Sequence, residues 1–245
     1  MGRAAGGRYL RIIMFAVAAT IGIWIVMRIT MPGILVAKQR PELAFAVRPA
    51  STLASTSLAM VQLSRGNIAA AEGLARSSVA RAPYDQRALA TLAAAAERRG
   101  KRAEAAQRYT LAAGLGWRNG AVATWLFGYG LETRSYRLAA AHGDALVRRG
   151  RERTRVFAGF REMLETPEGA AALAERFRDD PPWRALFFRD VGRLTPGQRR
   201  GLEGLLVDLA RMGKPASEAE RAPLGARPAN AAQPASAPSQ QRSIS

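Results

Sequence analysis

The sequence predicts an all-α protein: a transmembrane helix near the N-terminus, then an α-solenoid of stacked helical hairpins with a C-terminal helical cap. Three observations carry this. Residues 12–27 form an apolar run without a charge. A pattern of small and apolar residues recurs 34 positions apart, at Leu58-Ala59 and Leu92-Ala93. Apolar residues are 48% of the chain but aromatics only 7%, with alanine filling much of the difference, so its helices can approach closely. No run of alternating Val, Ile and Thr bounded by turn residues reads as a strand.

The run 12–27, IIMFAVAATIGIWIVM, rises about 24 Å as a helix, short of a ~30 Å hydrocarbon core. Extending it from Tyr9 to Ile29 gives about 31 Å and sets Arg11 and Arg28 near the ends, where their stems reach the headgroups. Its eight Ile, Val and Phe residues contribute about −2 to −5 kcal/mol to insertion. Pro32-Gly33 is expected to end the helix. Residues 1–8 then form a short cytoplasmic tail, 9–29 the membrane helix and 30–50 a linker. A cleaved signal peptide competes with this reading, but Ala44-Phe45-Ala46 lies far downstream for a cleavage site and Leu35-Val36-Ala37 fits the pattern poorly. A buried helix of a soluble domain is the third alternative. Arg3, Arg8 and Arg11 before the run nearly balance Arg28, Lys38, Arg40 and Arg48 after it. Long domains translocate largely regardless of charge, so the remainder is expected in a bacterial periplasm, anchored to the inner membrane.

Residues 51–152 carry the repeat. Thr52 to Asp85 contains Leu58, Ala59, Gly66, Ala71 and Pro83. Gln86 to Asn119 contains Leu89, Leu92, Ala93, Gly100, Ala105, Tyr109 and Ala112. Each stretch reads as helix, glycine turn, helix and break. Gly66 can take φ > 0 at a helix end, and Arg98-Arg99 before Gly100 oppose the negative end of a helix dipole. On these residues the stretch from Thr52 to Trp117 resembles the tetratricopeptide repeat family. Trp117 stands where a closing proline is usual, and the family's early Trp and mid-helix Tyr are missing. The resemblance implies that the first helices of the hairpins line a concave surface. On that register Met60, Leu63, Arg87, Ala90, Ala94, Glu97 and Thr124 line a groove for an extended peptide or a partner helix. A third, degenerate unit is expected over Ala121–Leu131 and Tyr136–Arg148, with Trp125, Leu126, Tyr129, Leu138, Ala141, Ala145 and Leu146 facing inward. Gly128 and Gly130 each cost about 1 kcal/mol relative to alanine and permit close packing. Three units are about the minimum for a stable array.

Residues 153–213 lose the period but keep helical spacing. Val156, Phe157, Phe160, Met163 and Leu164 recur within Arg153–Glu165; Ala171, Leu173, Ala174 and Phe177 follow Pro167. A third stretch opens at Pro181-Pro182-Trp183 and runs through Val191. Thr195 caps a last helix, with Pro196 in its first turn, that ends near Met212. This block reads as a helical cover for the open end of an array. Residues 214–245 have few large apolar side chains to offset the entropy of ordering, and read as a disordered tail.

Little in the chain points to chemistry. It has no cysteine, which excludes disulfides, thiolate catalysis and Cys-ligated zinc. His142 is the only histidine and reads as a packed or surface residue. No phosphate-binding glycine loop is present, and Gly128-Tyr129-Gly130 falls inside a helix. Asp179-Asp180 reads as a solvated turn or cap. No enzyme activity, cofactor or metal is expected.

The net charge of +18 falls as +6 on residues 1–48, +9 on 49–153, +1 on 154–213 and +2 on 214–245. Only Lys38, Lys101 and Lys214 are lysines. Arg98, Arg99, Lys101, Arg102 and Arg108 cluster around one hairpin turn; Arg148, Arg149, Arg151, Arg153 and Arg155 cluster further on. Both clusters read as solvated faces or as docking patches for anionic lipid headgroups, acidic polymer or a partner protein. Nucleic acid is not expected, because aromatic stacking residues are not interleaved with the cations. The expected role is a scaffold that holds a protein partner in an envelope assembly for secretion or for polysaccharide synthesis and export. The alternative is an anionic polymer or lipid binder acting through the arginines.

Overall fold

The computed structural model describes residues 3–116, 119–192 and 194–225. Among them are thirteen α-helices and no strand. The chain divides into two units between Trp125 and Leu126.

The first unit begins with α1 (Arg3–Ala37) and α2 (Pro41–Val47). Within α1, Ile13–Ala37 is long and apolar enough to cross a membrane. Residues 13–30 are exposed throughout. The Thr20 and Thr30 hydroxyls donate to the carbonyls of Ala16 and Val26, each at 2.8 Å, so neither is left unsatisfied on an apolar surface. The expected stop at Pro32-Gly33 does not occur: the helix continues to Ala37. A proline inside a helix costs roughly 3 kcal/mol through its missing N–H and ring clash. Here Pro32 is buried, its neighbours are half-buried, and α1 packs on both α2 and α3, which offsets that cost. Residues 30–50, expected as a linker, are largely helical for the same reason. Pro41 and Ala44 of α2 are buried, and Glu42 pairs with Arg65 at 2.8 Å.

Four helices follow: α3 (Thr52–Ser64), α4 (Ile68–Arg81), α5 (Gln86–Arg98) and α6 (Arg102–Gly114). Each packs on the next, and α3 also touches α5. The turns after α3 and α5 are made by Gly66 (φ 84°) and Gly100 (φ 75°), a conformation that side-chain-bearing residues resist. The core is built of alanines: Ala54, Ala59, Ala71, Ala75, Ala88, Ala93, Ala95, Ala105 and Ala112 are fully buried. Such a core brings backbones close but buries few methylenes. It needs polar ties, and they are present. Asp85 caps α5 by accepting from the Arg87 and Ala88 N–H groups, and its other oxygen accepts the Thr56 hydroxyl of α3 at 2.7 Å. Glu72, buried on α4, takes both Arg76 and the Arg99 that ends α5. The helix α7 (Gly120–Glu132) starts in this unit, where Trp125 stacks on Tyr109 with ring centroids 4.4 Å apart. Trp117 lies outside the described residues.

The second unit contains the rest of α7, then α8 (Tyr136–Arg148), α9 (Arg153–Met163), α10 (Pro167–Arg178), α11 (Arg184–Asp190), α12 (Pro196–Arg211) and α13 (Glu218–Gly225). Its core is aromatic. Phe127, Phe157, Phe160, Phe177, Trp183, Phe187 and Phe188 are buried and touch ring to ring. The indole N–H of Trp183 donates to Asp144 at 2.7 Å, and the Arg148 guanidinium takes the same oxygen. The Asp-Asp-Pro-Pro-Trp-Arg segment is therefore a packing device, with Asp180 in the left-handed region (φ 47°) to make the turn. Thr195 caps α12 in a reciprocal capping box with Gln198.

The inward stripe of α7 and α8 is rotated from the expected one. Val122, Ala123, Leu126, Phe127 and Gly130 are buried on α7, and Ala139, Ala140, Gly143, Asp144, Leu146 and Val147 on α8. Trp125, Tyr129, Leu138, Ala141 and Ala145 are only half-buried, because Phe127 points into the aromatic core and sets the phase. Of the two helix glycines, Gly130 meets the Ala139 backbone, whereas Gly128 has only an ordinary contact with Arg155.

The tail expected to be disordered from residue 214 instead includes α13, which packs on α11. Arg184 is buried on α11, and Glu220 of α13 meets it at 2.7 and 2.9 Å. Composition alone missed this, because an ion pair rather than apolar area holds the segment. Residues 226–245 lie outside the described ones. Burial alone would raise the Glu220 pKa, but the Arg184 hydrogen bond and charge and the Ser217 N–H outweigh it and leave it lowered. A carboxylate held below its unfolded value of about 4.3 stabilises the docked state above that pH and loses the contribution as pH falls through the folded value. Acidification is therefore expected to release α13 first, read as loss of amide protection at residues 218–222 by hydrogen exchange. Glu220→Gln is expected to release it at neutral pH. The cost is bounded by the docking energy of α13, since detachment returns Arg184 to water. Protection unchanged by both treatments would contradict the assignment.

Candidate functional site

The cleft of the first unit is set by the face of α5 that its own core leaves uncovered. Ala88, Leu92, Ala95 and Ala96 turn inward, so Arg87, Ala90, Thr91, Ala94 and Arg98 share the other side at helical spacing. Met60 and Leu63 of α3 form one wall. Tyr109 of α6 and the start of α7, from Asn119 to Ala121, form another. The space is about 580 Å³, within the range of small ligand pockets. Its apolar lining comes from Met60, Leu63, Ala90, Ala94 and Ala121. No acidic side chain lines it among the described residues. Asn119 accepts the Ala121 and Val122 N–H groups and so caps α7 at the cleft's edge.

The expected groove residues divide accordingly. Met60, Leu63, Arg87, Ala90 and Ala94 line the cleft; Glu97 and Thr124 do not. Glu97 is exposed, one position around α5 from Arg98, and Thr124 is half-buried further along α7. Gln86, Thr91 and Tyr109 line the cleft unforeseen. Burial pushes the Tyr109 phenol well above its ordinary value, so it stays protonated. The Gln86 side chain donates to the carbonyls of Ala112 and Gly116 at the end of α6. A glutamine opening a helix was the only signal for that contact.

The cations differ in what they already hold. Arg98 lines the cleft and donates to the Leu63 carbonyl at the C-terminus of α3. Arg99 pairs with Glu72. Lys101 and Arg108 both pair with Glu104, and Arg108 also donates to the Leu92 carbonyl at 3.1 Å. Arg102 is engaged as well. The cluster around Gly100 thus closes helix ends and neutralises Glu72 and Glu104. Arg87 is different: it is exposed, lies on the cleft, and has no side-chain partner among the described residues.

Elsewhere the chemistry is sparse. His142 is half-buried on α8, and burial holds its imidazole below the ordinary value. No cluster of three or more His, Asp or Glu residues able to hold a metal occurs among the described residues. No protein-family model matches the sequence, and no curated protein matches it.

Proposed function

We propose that this protein is a membrane-anchored, tetratricopeptide-like helical scaffold whose first unit holds a segment of a partner protein. The observation that carries this is the cleft: an apolar lining of Met60, Leu63, Ala90, Ala94 and Ala121, and, among the described residues, no acid in that lining and no side-chain partner for Arg87 at its edge. Such a site suits an extended segment or short helix that buries small apolar side chains and offers a carboxylate to Arg87. The apolar helix α1 supplies the anchor. The setting we favour is a bacterial inner membrane, with the helical units in the periplasm and the partner in an assembly for secretion or polysaccharide export. Binding rather than catalysis is the reading that best fits a chain with one histidine and no cysteine.

The second reading, an anionic polymer or lipid binder acting through the arginine cluster, is weakened because those cations already hold Glu72, Glu104 and helix carbonyls. The two separate by ionic strength, since exposed charges are screened by salt. A partner seated in the cleft is expected to co-purify from solubilised membranes in high salt. Ala94→Trp, which fills the cleft, and Arg87→Glu, which reverses the edge charge, are each expected to lower its recovery tenfold or more, equivalent to at least about 1.4 kcal/mol. Recovery unaffected by both, or lost with salt alone, would overturn the scaffold reading. A periplasm-dependent reporter fused after Gly225 is expected to be active; activity only from a cytoplasmic reporter would reverse the orientation.

A further inference from the structure

The end of α1 packs against α2 and α3, and that restricts where α2 lies. If Tyr9 to Ile29 fill the hydrocarbon, residues 30–37 of α1 rise about 12 Å beyond it at 1.5 Å per residue. The headgroup layer is about 5–8 Å deep on each side. Over those same residues α1 is covered: Pro32 is buried, and Met31, Gly33, Leu35 and Val36 are half-buried, with α2 and α3 packed against the helix. The connection from Ala37 to Pro41 is too short to carry α2 away. Packed beside this segment, α2 lies within about 12 Å of the hydrocarbon edge, a span that includes the headgroup layer.

Its exposed side suits that depth. Leu43 and Val47 are one turn apart, share a face, and are 47% and 39% exposed. Pro41 and Ala44, on the other side, are buried. Nearby, Ile34 and Leu53 are also exposed. Lys38 and Arg40 lead into α2 and Arg48 follows it; Lys38 and Arg40 are exposed. At the end of the apolar stretch the Arg28 guanidinium lies 5.0 Å from the centre of the Trp24 ring, a pairing suited to a membrane–water boundary.

We propose that α2 and its flanking cations form a membrane-interfacial foot: Leu43 and Val47 enter the acyl–headgroup boundary while Lys38, Arg40 and Arg48 meet anionic phosphates. The foot holds the cleft-bearing unit against the bilayer rather than at the end of a flexible tether. Continuity with the apolar helix and complementarity of charge choose lipid as the occupant. The inference rests on the membrane-spanning reading of α1 and goes beyond it.

The chain has no cysteine, so single-cysteine variants report cleanly. Full-length protein carrying Leu43→Cys, Val47→Cys, Ile21→Cys or Leu111→Cys is labelled with an environment-sensitive fluorophore and reconstituted in vesicles of phosphatidylcholine with phosphatidylglycerol. Labels at 43, 47 and 21 are expected to emit blue-shifted light and to be quenched by spin-labelled lipid, severalfold more than at 111. Lys38→Gln with Arg40→Gln is expected to reduce quenching at 43 and 47 and to leave 21 unchanged. Quenching at 21 with water-like emission at 43 and 47 overturns the foot and leaves the anchor standing. Water-like emission at 21 as well overturns both. Lipid quenching at 43 and 47 that is insensitive to phosphatidylglycerol and to the cation variants overturns the phosphate contacts.

Discussion

Phe160→Ala is expected to destabilise the second unit by about 3–5 kcal/mol, the range for removing a fully buried phenylalanine. Phe160 is the ring on which that core converges. It is fully buried and meets Phe127 at 6.1 Å, Trp183 at 5.3 Å and Phe187 at 6.1 Å between centroids. Gly143 leaves room for the ring, because a Cβ there would approach it to 2.6 Å. Rings held on several sides cannot collapse into the vacated space, so the cavity persists. The loss is read from the midpoint of urea unfolding followed by near-ultraviolet circular dichroism on the full chain in detergent. A loss below about 1 kcal/mol, the ordinary size of a point-mutation effect, would mean the aromatic cluster is not the core.

Gly201→Ala carries the second large effect, and its contrast with Gly204→Ala makes it decisive. Both glycines lie inside α12. A Cβ on Gly201 would stand 1.9 Å from the carbonyl oxygen of Leu164, a backbone atom fixed at the end of α9. A Cβ on Gly204 meets nothing within 4 Å. Alanine at 201 must push two helices apart, at about 1–3 kcal/mol or more. Alanine at 204 only removes unfolded-chain entropy and should stabilise by about 0.5–1 kcal/mol. Opposite signs in thermal melts of the two variants are the expected result. The same sign in both would show that α12 does not rest on the Leu164 carbonyl.

What could be read in the sequence follows from which interactions are local. The helices α3 to α6 were legible because close packing leaves alanines at fixed spacing, glycines make the turns after α3 and α5, and Pro83 marks the break between α4 and α5. The capped start at Thr195-Pro196 was legible because a cap involves neighbours in sequence. Long-range ties were not. Arg98 looked like a surface cation, and its partner, the Leu63 carbonyl, lies 35 residues away. Glu72 offered a faint signal as the only acid of α4, yet nothing local marks it as buried. Asp85 before Gln86 was a readable cap, but its grip on Thr56 was not. The rules that failed were single-residue ones. Pro32 was expected to stop α1, and a covering helix kept it running. A polar, proline-rich composition was expected to leave 214–225 unordered, and one buried arginine called for a carboxylate from that segment. Of the seven groove residues implied by the repeat resemblance, the five on α3 and α5 other than Glu97 line the cleft. The contributions of Tyr109 and Asn119 depend on how α6 and α7 meet α5, which phase within one helix does not encode.

The proposed scaffold role requires the cleft of the first unit to be the surface that meets a partner. In-cell photocrosslinking tests this most directly, with a benzophenone amino acid placed at Ala94 in the cleft and, separately, at Leu111, which is 58% exposed on α6 outside the cleft. The expected result is one defined envelope protein captured from position 94, absent from position 111 and lost when Arg87→Glu is added. The same proteins captured from both positions, or none from either, would contradict it.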